Sequence, residues 1–110
     1  MKRIEAIIHQ LREAVMSGPA ITDTVRRRSV ARRAGAPADA APSVHGLPDA
    51  LRAYLDKVAH VPYRITDEQF EALRGSDVSD DELFELTVAA ALSAGLARYE
   101  RGMAALRGGR

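Results

Sequence analysis

The chain has 110 residues, 46% of them hydrophobic and 28% charged, with a formal net charge of +1 and neither cysteine nor tryptophan. That length gives room for one domain with a modest core. The missing thiols exclude disulfides, thiolate metal sites and thiol-based peroxide or disulfide chemistry within these residues, and no apolar run approaches the ~20 residues of a membrane span. Charge is unevenly spread. Residues 1–33 carry eight Arg and Lys against Glu5, Glu13 and Asp23, a surplus of +5, whereas residues 64–85 carry Arg64 and Arg74 against eight acids, a deficit of six. Such asymmetry favours self-association or docking on a partner over binding a uniformly charged polymer.

The spacing predicts a first amphipathic helix from Lys2 to about Met16, with Ile4, Ile7, Ile8, Leu11 and Val15 on one face. Acidic residues inside its apolar run mark it as a helix rather than a signal peptide, and a cytoplasmic protein is the default expectation. Gly18 and Pro19 end it. A second helix runs from near Pro19 or Thr22 to Ala34; its apolar positions (Ile21, Val25, Val30) are few and its arginines (Arg26, Arg27, Arg28, Arg32, Arg33) many. Residues 35–46, rich in Ala, Pro and Gly, read as a linker, either a tether or a surface crossing, between an N-terminal helical arm (1–34) and a core (47–110). Pro48 opens a third helix whose buried face is Leu47, Leu51, Leu55 and Val58, with Tyr54 near its edge. Val61-Pro62-Tyr63 breaks it. Thr66 and Gln69 form a capping box for a short helix that carries Phe70 and Leu73 inward and closes at Gly75.

Ser79 and Glu82 form a second capping box, and Asp80, Asp81 and Glu82 suit the positive end of a helix dipole. They open one long helix, Ser79 to Leu106. Phe84, Val88, Leu92, Leu96, Tyr99, Met103 and Leu106 fall on one stripe. Ala89, Ala90, Ala91, Ser93, Ala94, Gly95 and Ala97 lie between them and let another helix approach closely. The expected fold is all-α, a single compact bundle of about five helices.

From Leu47 onward the chain resembles the C-terminal half of alkylhydroperoxidase D-like proteins, the carboxymuconolactone decarboxylase superfamily. The marks are Thr66-Asp67-Glu68 at a helix start, Ala72-Leu73-Arg74 in the short helix, the acidic cap Asp80-Asp81-Glu82, Glu85-Leu86-Thr87, and Arg98 late in an Ala-rich helix. The resemblance covers roughly 60 residues. Redox members of that family act through a C-x-x-C pair with a nearby His and Glu; this chain has no cysteine, so the resemblance implies fold and a habit of helix-mediated homo-oligomerisation rather than thiol catalysis.

Among candidate site residues, Glu85 points at about the angle of Leu92 and Met103, into the apolar arc. A carboxylate there is either a desolvated general acid–base or the partner of a cation such as Arg52 or Arg64; ion pairing is the commoner outcome. His9, His45 and His60 lack metal-site spacing; His60 suits the negative end of the third helix, and with Glu85 and Tyr63 it is the remaining catalytic candidate. The five clustered arginines read as a solvated or docking face, and Arg98 as a structural residue reaching an acid on a neighbouring helix. Nucleic acid is disfavoured by the net charge and the absence of interleaved aromatics. No cofactor is implied. The leading expectation is a non-catalytic helical protein that self-associates or pairs with a larger protein. The alternative is a thiol- and metal-independent decarboxylase or isomerase of a small acid, with Glu85 as base.

Overall fold

The helix starts follow the capping residues. Thr66 and Gln69 exchange hydrogen bonds in a complete box: the Thr66 hydroxyl accepts from the Gln69 amide at 3.2 Å and the Gln69 side chain accepts from the Thr66 amide at 3.1 Å. The Ser79 hydroxyl accepts from the Glu82 amide at 3.1 Å, while the Glu82 carboxylate reaches outward to Arg26, 3.2 Å away. A computed structural model describes residues 2–17, 24–37, 41–44, 46–74 and 78–108. These form five α-helices and a 3-10 turn: α1 (Lys2–Ser17), α2 (Thr24–Gly35), α3 (Asp49–His60), the turn Pro62–Arg64, α4 (Asp67–Arg74) and α5 (Asp80–Leu106). No strand occurs among the described residues. Gly18, Pro19, Ile21, His45 and Gly75, read above as breaks, apolar positions or a lone histidine, lie outside them.

Helices α2, α3 and α5 make most of the core, with Leu73 of α4 buried beside them. Near its start α2 meets α5 through Arg26 and Glu82; near its end Gly35 lies against Ser93 and Ala97. Tyr54 of α3 meets Thr87, and Ala59 meets Arg98. All three helices therefore advance in roughly the same direction. Parallel neighbours need a return path, and the 35–46 linker supplies it. Twelve helical residues rise about 18 Å, a span that six or so extended residues can retrace. The linker runs back along α2: Arg33 donates to the Pro42 carbonyl at 3.0 Å, and Arg26 approaches the Gly46 carbonyl at 3.5 Å. Val44 is buried in the same core as α2 and α3. Gly46, at φ +83°, makes the turn into α3 in a backbone region that other residues avoid. Val30 and Ala34 of α2 belong to the same hydrophobic cluster as the buried residues of α3 and α5.

The long helix buries a different face from its large-residue stripe. Leu83, Leu86, Ala89, Ala90 and Ala94 are buried, the middle three at 0% exposure. Phe84 and Leu106 stand 69% and 82% exposed, and Tyr99 at the margin. At 100° per residue the buried arc lies almost opposite the stripe. Helix α5 therefore carries two apolar faces, and the one made of small residues wins the core because it allows α2 and α3 to approach its backbone. Two smaller differences follow. Tyr54 is buried rather than at an edge, and Phe70 is 40% exposed, packed edge-on to Tyr54 with ring centroids 6.2 Å apart.

Helix α1 lies antiparallel on the second half of α5, through ion pairs Arg12–Glu100 and Glu5–Arg107. None of its described side chains is fully buried: Ile8, Arg12 and Val15 are half-covered, while Ile4, Ile7 and Leu11 are each about half exposed. The outline is elongated, 46 × 29 × 23 Å with a radius of gyration of 14.6 Å, against about 13 Å for a compact domain of this length. No helix of the described residues is long and apolar enough to cross a membrane.

Ala90→Leu is expected to lose about 1–3 kcal/mol in urea denaturation, because there is no room for the added volume between packed backbones. Phe84→Ala is expected to stay within about 0.5 kcal/mol. The reverse ranking would mean that the large-residue stripe is the buried face.

Candidate functional site

The catalytic candidates are not brought together. Glu85 is half-buried in the second turn of α5. His60 closes α3 beside Ala59, at the level to which Arg98 reaches. Glu85 and Arg98 are separated by about 20 Å of helix axis. His60 lines a shallow depression with Arg33, Asp56 and Lys57, and Tyr63 is 81% exposed on the 3-10 turn. Arg52, offered as a partner for Glu85, instead engages Asp49 and the Val44 carbonyl. The hollow near the start of α5, about 290 Å³, is lined by Tyr54, Phe70, Arg74, Asp80, Leu83, Phe84 and Thr87, with Glu85 not among them. Among the described residues no three His, Asp or Glu side chains gather as a metal site would need.

One polar contact inside the core has a defined direction. The Thr87 hydroxyl lies 2.7 Å from the Leu83 carbonyl, to which it donates its single proton. It then accepts from the Tyr54 hydroxyl, 3.1 Å away. This chain of two hydrogen bonds satisfies a buried phenol and holds α3 in register on α5. No sequence motif announced it, because it needs the two helices to be placed first.

The five arginines of α2 divide by helical angle. Arg26 and Arg33, seven residues apart, share a face and tie α2 to its surroundings: Arg26 to Glu82, and Arg33 to Asp56 through two bonds of 2.7 and 2.8 Å. The Asp56 hydrogen bonds raise the Arg33 pKa above the ordinary guanidinium value; partial desolvation works against them, and the Asp56 charge adds to the rise. Arg27 is buried at 4% exposure and donates to the Val15 carbonyl at 2.7 Å, seating the end of α1. Arg28 and Arg32, at i and i+4, form the remaining face and are exposed. The expected docking face is thus split into three internal ties and two outward-facing cations. The spacing held that signal, since positions i and i+7 or i and i+4 coincide on a helix. Arg98 does reach a neighbouring helix, but its partner is the Ala59 carbonyl in the last turn of α3, where helix carbonyls lack internal donors.

Outside α2, the sequence reading passed over Arg12 and Glu100. Their ion pair joins α1 to α5, and both residues line a cleft between α1, α2 and α5. Nothing local in sequence links residues 88 positions apart.

Comparison with protein-family models, curated proteins and solved structures found no match.

Arg33→Lys is expected to cost about 1 kcal/mol, because an ammonium cannot reproduce the two-pronged contact with Asp56 at a half-exposed site. Tyr54→Phe is expected to cost about 1 kcal/mol, as the Thr87 hydroxyl loses a donor; denaturant titration checks both. The stability that goes with a raised arginine pKa is fully present below the unfolded value and is lost only at strongly alkaline pH. The stability difference between wild type and Arg33→Lys attributable to Arg33 titration should therefore stay flat from pH 6 to about 9.

Proposed function

We propose that this chain is a non-catalytic, cysteine-free helical module of the alkylhydroperoxidase D-like kind that works in the cytoplasm by association, first with a second copy of itself and otherwise with a larger protein of like fold. The observation that carries the reading is the apolar surface left by α1 and α5. Ile4, Ile7 and Leu11 are each about half exposed on one side of α1, and Phe84, 69% exposed, begins a strip that continues through half-covered Val88, Leu92 and Leu96 on the outer face of α5. A helix apolar on two opposite faces is suited to burial on both, and this chain covers one of them.

Charge supports a second copy as the occupant. Part of the basic surplus of residues 1–33 is used within the chain, by pairs such as Arg26–Glu82, but Arg3 and Arg32 on one side and Asp67, Glu68, Asp80 and Asp81 on the other remain exposed, so two copies can set the basic residues of each against the acidic segment of the other. The resemblance of residues 47–106 to an oligomer-forming family points the same way. The catalytic alternative on Glu85 gains no comparable support, since neither His60 nor the hollow at the start of α5 includes it.

Light scattering at micromolar concentration tests the reading. The wild type is expected to run as a dimer or larger. Ile7→Glu or Leu11→Glu, placing a carboxylate in the exposed apolar row, is expected to give a monomer with unchanged helicity by circular dichroism. A wild type that is strictly monomeric and recovers no partner overturns the proposal.

A further inference from the structure

Helix α5 carries two glycines that the chain's own packing does not require. Gly95 and Gly102 are exposed, and a methyl group added at either would meet no atom within 4 Å. Glycine is a poor helix former. At 100° per residue Phe84, Val88, Gly95, Gly102 and Leu106 fall within about 40° of one another on the outward face of the helix. Phe84 and Leu106, at the two ends of this strip, are the most exposed apolar side chains of α5, and Val88 is half-covered. The strip is apolar at both ends and bare of side chain at its centre, a shape that lets a second helix come close to the backbone.

Charge sets the direction of that second helix. Asp81 in the first turn of α5 and Arg3 in the first turn of α1 are exposed, and among the described residues neither has an ion-pair partner. They cannot meet within one chain. Helix α1 lies antiparallel on the second half of α5, with Glu5 level with Arg107 and Arg12 level with Glu100. Arg3 therefore sits just past the far end of α5, roughly 40 Å along the axis from Asp81.

We infer that a second copy packs on this strip about a twofold axis at Gly95, with the two α5 helices antiparallel. The inference rests on the association reading and names its surface and register. One step forward along α1 answers one step back along α5, so Arg3 is level with the position two residues past Arg107. When Arg3 of one copy is brought level with Asp81 of the other, the midpoint of the α5 pair is Gly95, and Gly95 meets its own counterpart. The same register sets Phe84 opposite Leu106 of the second copy and Val88 opposite its Gly102, a side chain facing a gap. Charge pairing alone fixes this register, yet the glycines and the exposed apolar residues match in it without adjustment. A parallel pairing would instead set Asp81 beside Asp81 and Arg3 beside Arg3, like charges that repel. The exposed row of α1 also finds its cover. The chain's own α1 flanks the second half of α5, where Ile8 and Met103 line one hollow. The twofold brings the second copy's α1 beside the first half, with its Ile7 and Leu11 level with the turns that hold Phe84 and Val88.

Disulfide trapping tests the register, and the absence of native cysteine keeps its readout clean. Gly95→Cys is expected to give a covalent dimer under mild oxidation, because the axis brings the two Cα atoms within the ~7 Å that a disulfide spans. Phe84→Cys and Leu106→Cys chains are expected to cross-link when mixed and not separately. Tyr63→Cys, on the exposed 3-10 turn, should react far more slowly. In sedimentation, Gly95→Leu is expected to raise the dimer dissociation constant roughly tenfold or more, while circular dichroism shows helicity kept or increased, since leucine is the better helix former. Arg3→Glu and Asp81→Arg should each weaken the dimer about threefold, and the two together in one chain should restore it, because each pair is then inverted. A monomeric wild type removes the association reading and this interface with it. A dimeric wild type leaves association standing and overturns the interface if Gly95→Leu associates as tightly, if Tyr63→Cys cross-links as fast as Gly95→Cys, or if the double charge reversal does no better than either single one.

Discussion

The close approach of three helices along the alanine face of α5 is the constraint on which the rest of the structure depends. Ala89, Ala90 and Ala94 are essentially sealed from solvent, and no larger residue at those positions would let the backbones of α2 and α3 come so near. A core of this type has little side-chain area to bury, since each alanine contributes far less than a leucine or phenylalanine. Leu51, Leu73 and Leu86 are its largest fully buried side chains. Additional cohesion has to come from elsewhere, and in this chain it comes from arginine.

Five guanidinium groups reach backbone carbonyls distant in sequence: Arg26 to Gly46, Arg27 to Val15, Arg33 to Pro42, Arg52 to Val44 and Arg98 to Ala59. Each acceptor lies in a helix end or in the return segment, where carbonyls have no partner from regular structure. The long stems cover apolar surface while the forks satisfy these groups. A composition that looks like a nucleic-acid or docking patch is therefore largely an internal fastening. Three of these bonds hold Pro42, Val44 and Gly46 of the linker, in keeping with the parallel run of α2 and α3.

Much of this was legible in the residues. Both capping residues, Thr66 and Ser79, mark the starts of α4 and α5, and the leucines of α3 face the core as their spacing requires. What could not be read was which of two apolar faces of α5 would be buried. Counting large hydrophobic residues favours the Phe84–Leu106 stripe; packing geometry favours the small residues opposite, and the choice between them is made only when the partner helices arrive. The same limit explains Glu85. Its angle places it correctly among Leu92 and Met103, but that arc faces outward, so its presence there does not imply the desolvation that a general base would need. The cleft between α1, α2 and α5 was invisible for a simpler reason: it joins residues from three helices whose order in space is set by the return segment.

Helix α1 carries the exposed apolar row on which the association reading rests. It is seated by half-covered Ile8, Arg12 and Val15, by exposed ion pairs to Glu100 and Arg107, and by the Arg27 bond to its final turn. Exposed ion pairs contribute little, about 0–1 kcal/mol each, so α1 is the least firmly held of the longer helices. One side of it lies against α5 and another presents Ile4, Ile7 and Leu11. Anything that binds only when α1 is seated adds its binding free energy to that seating. A second copy that packs on Ile4, Ile7 and Leu11 would therefore hold α1 on α5 as well, because one rigid helix carries both surfaces. Assembly and the seating of α1 then reinforce each other with no signal through the core, since both act on a single weakly anchored element.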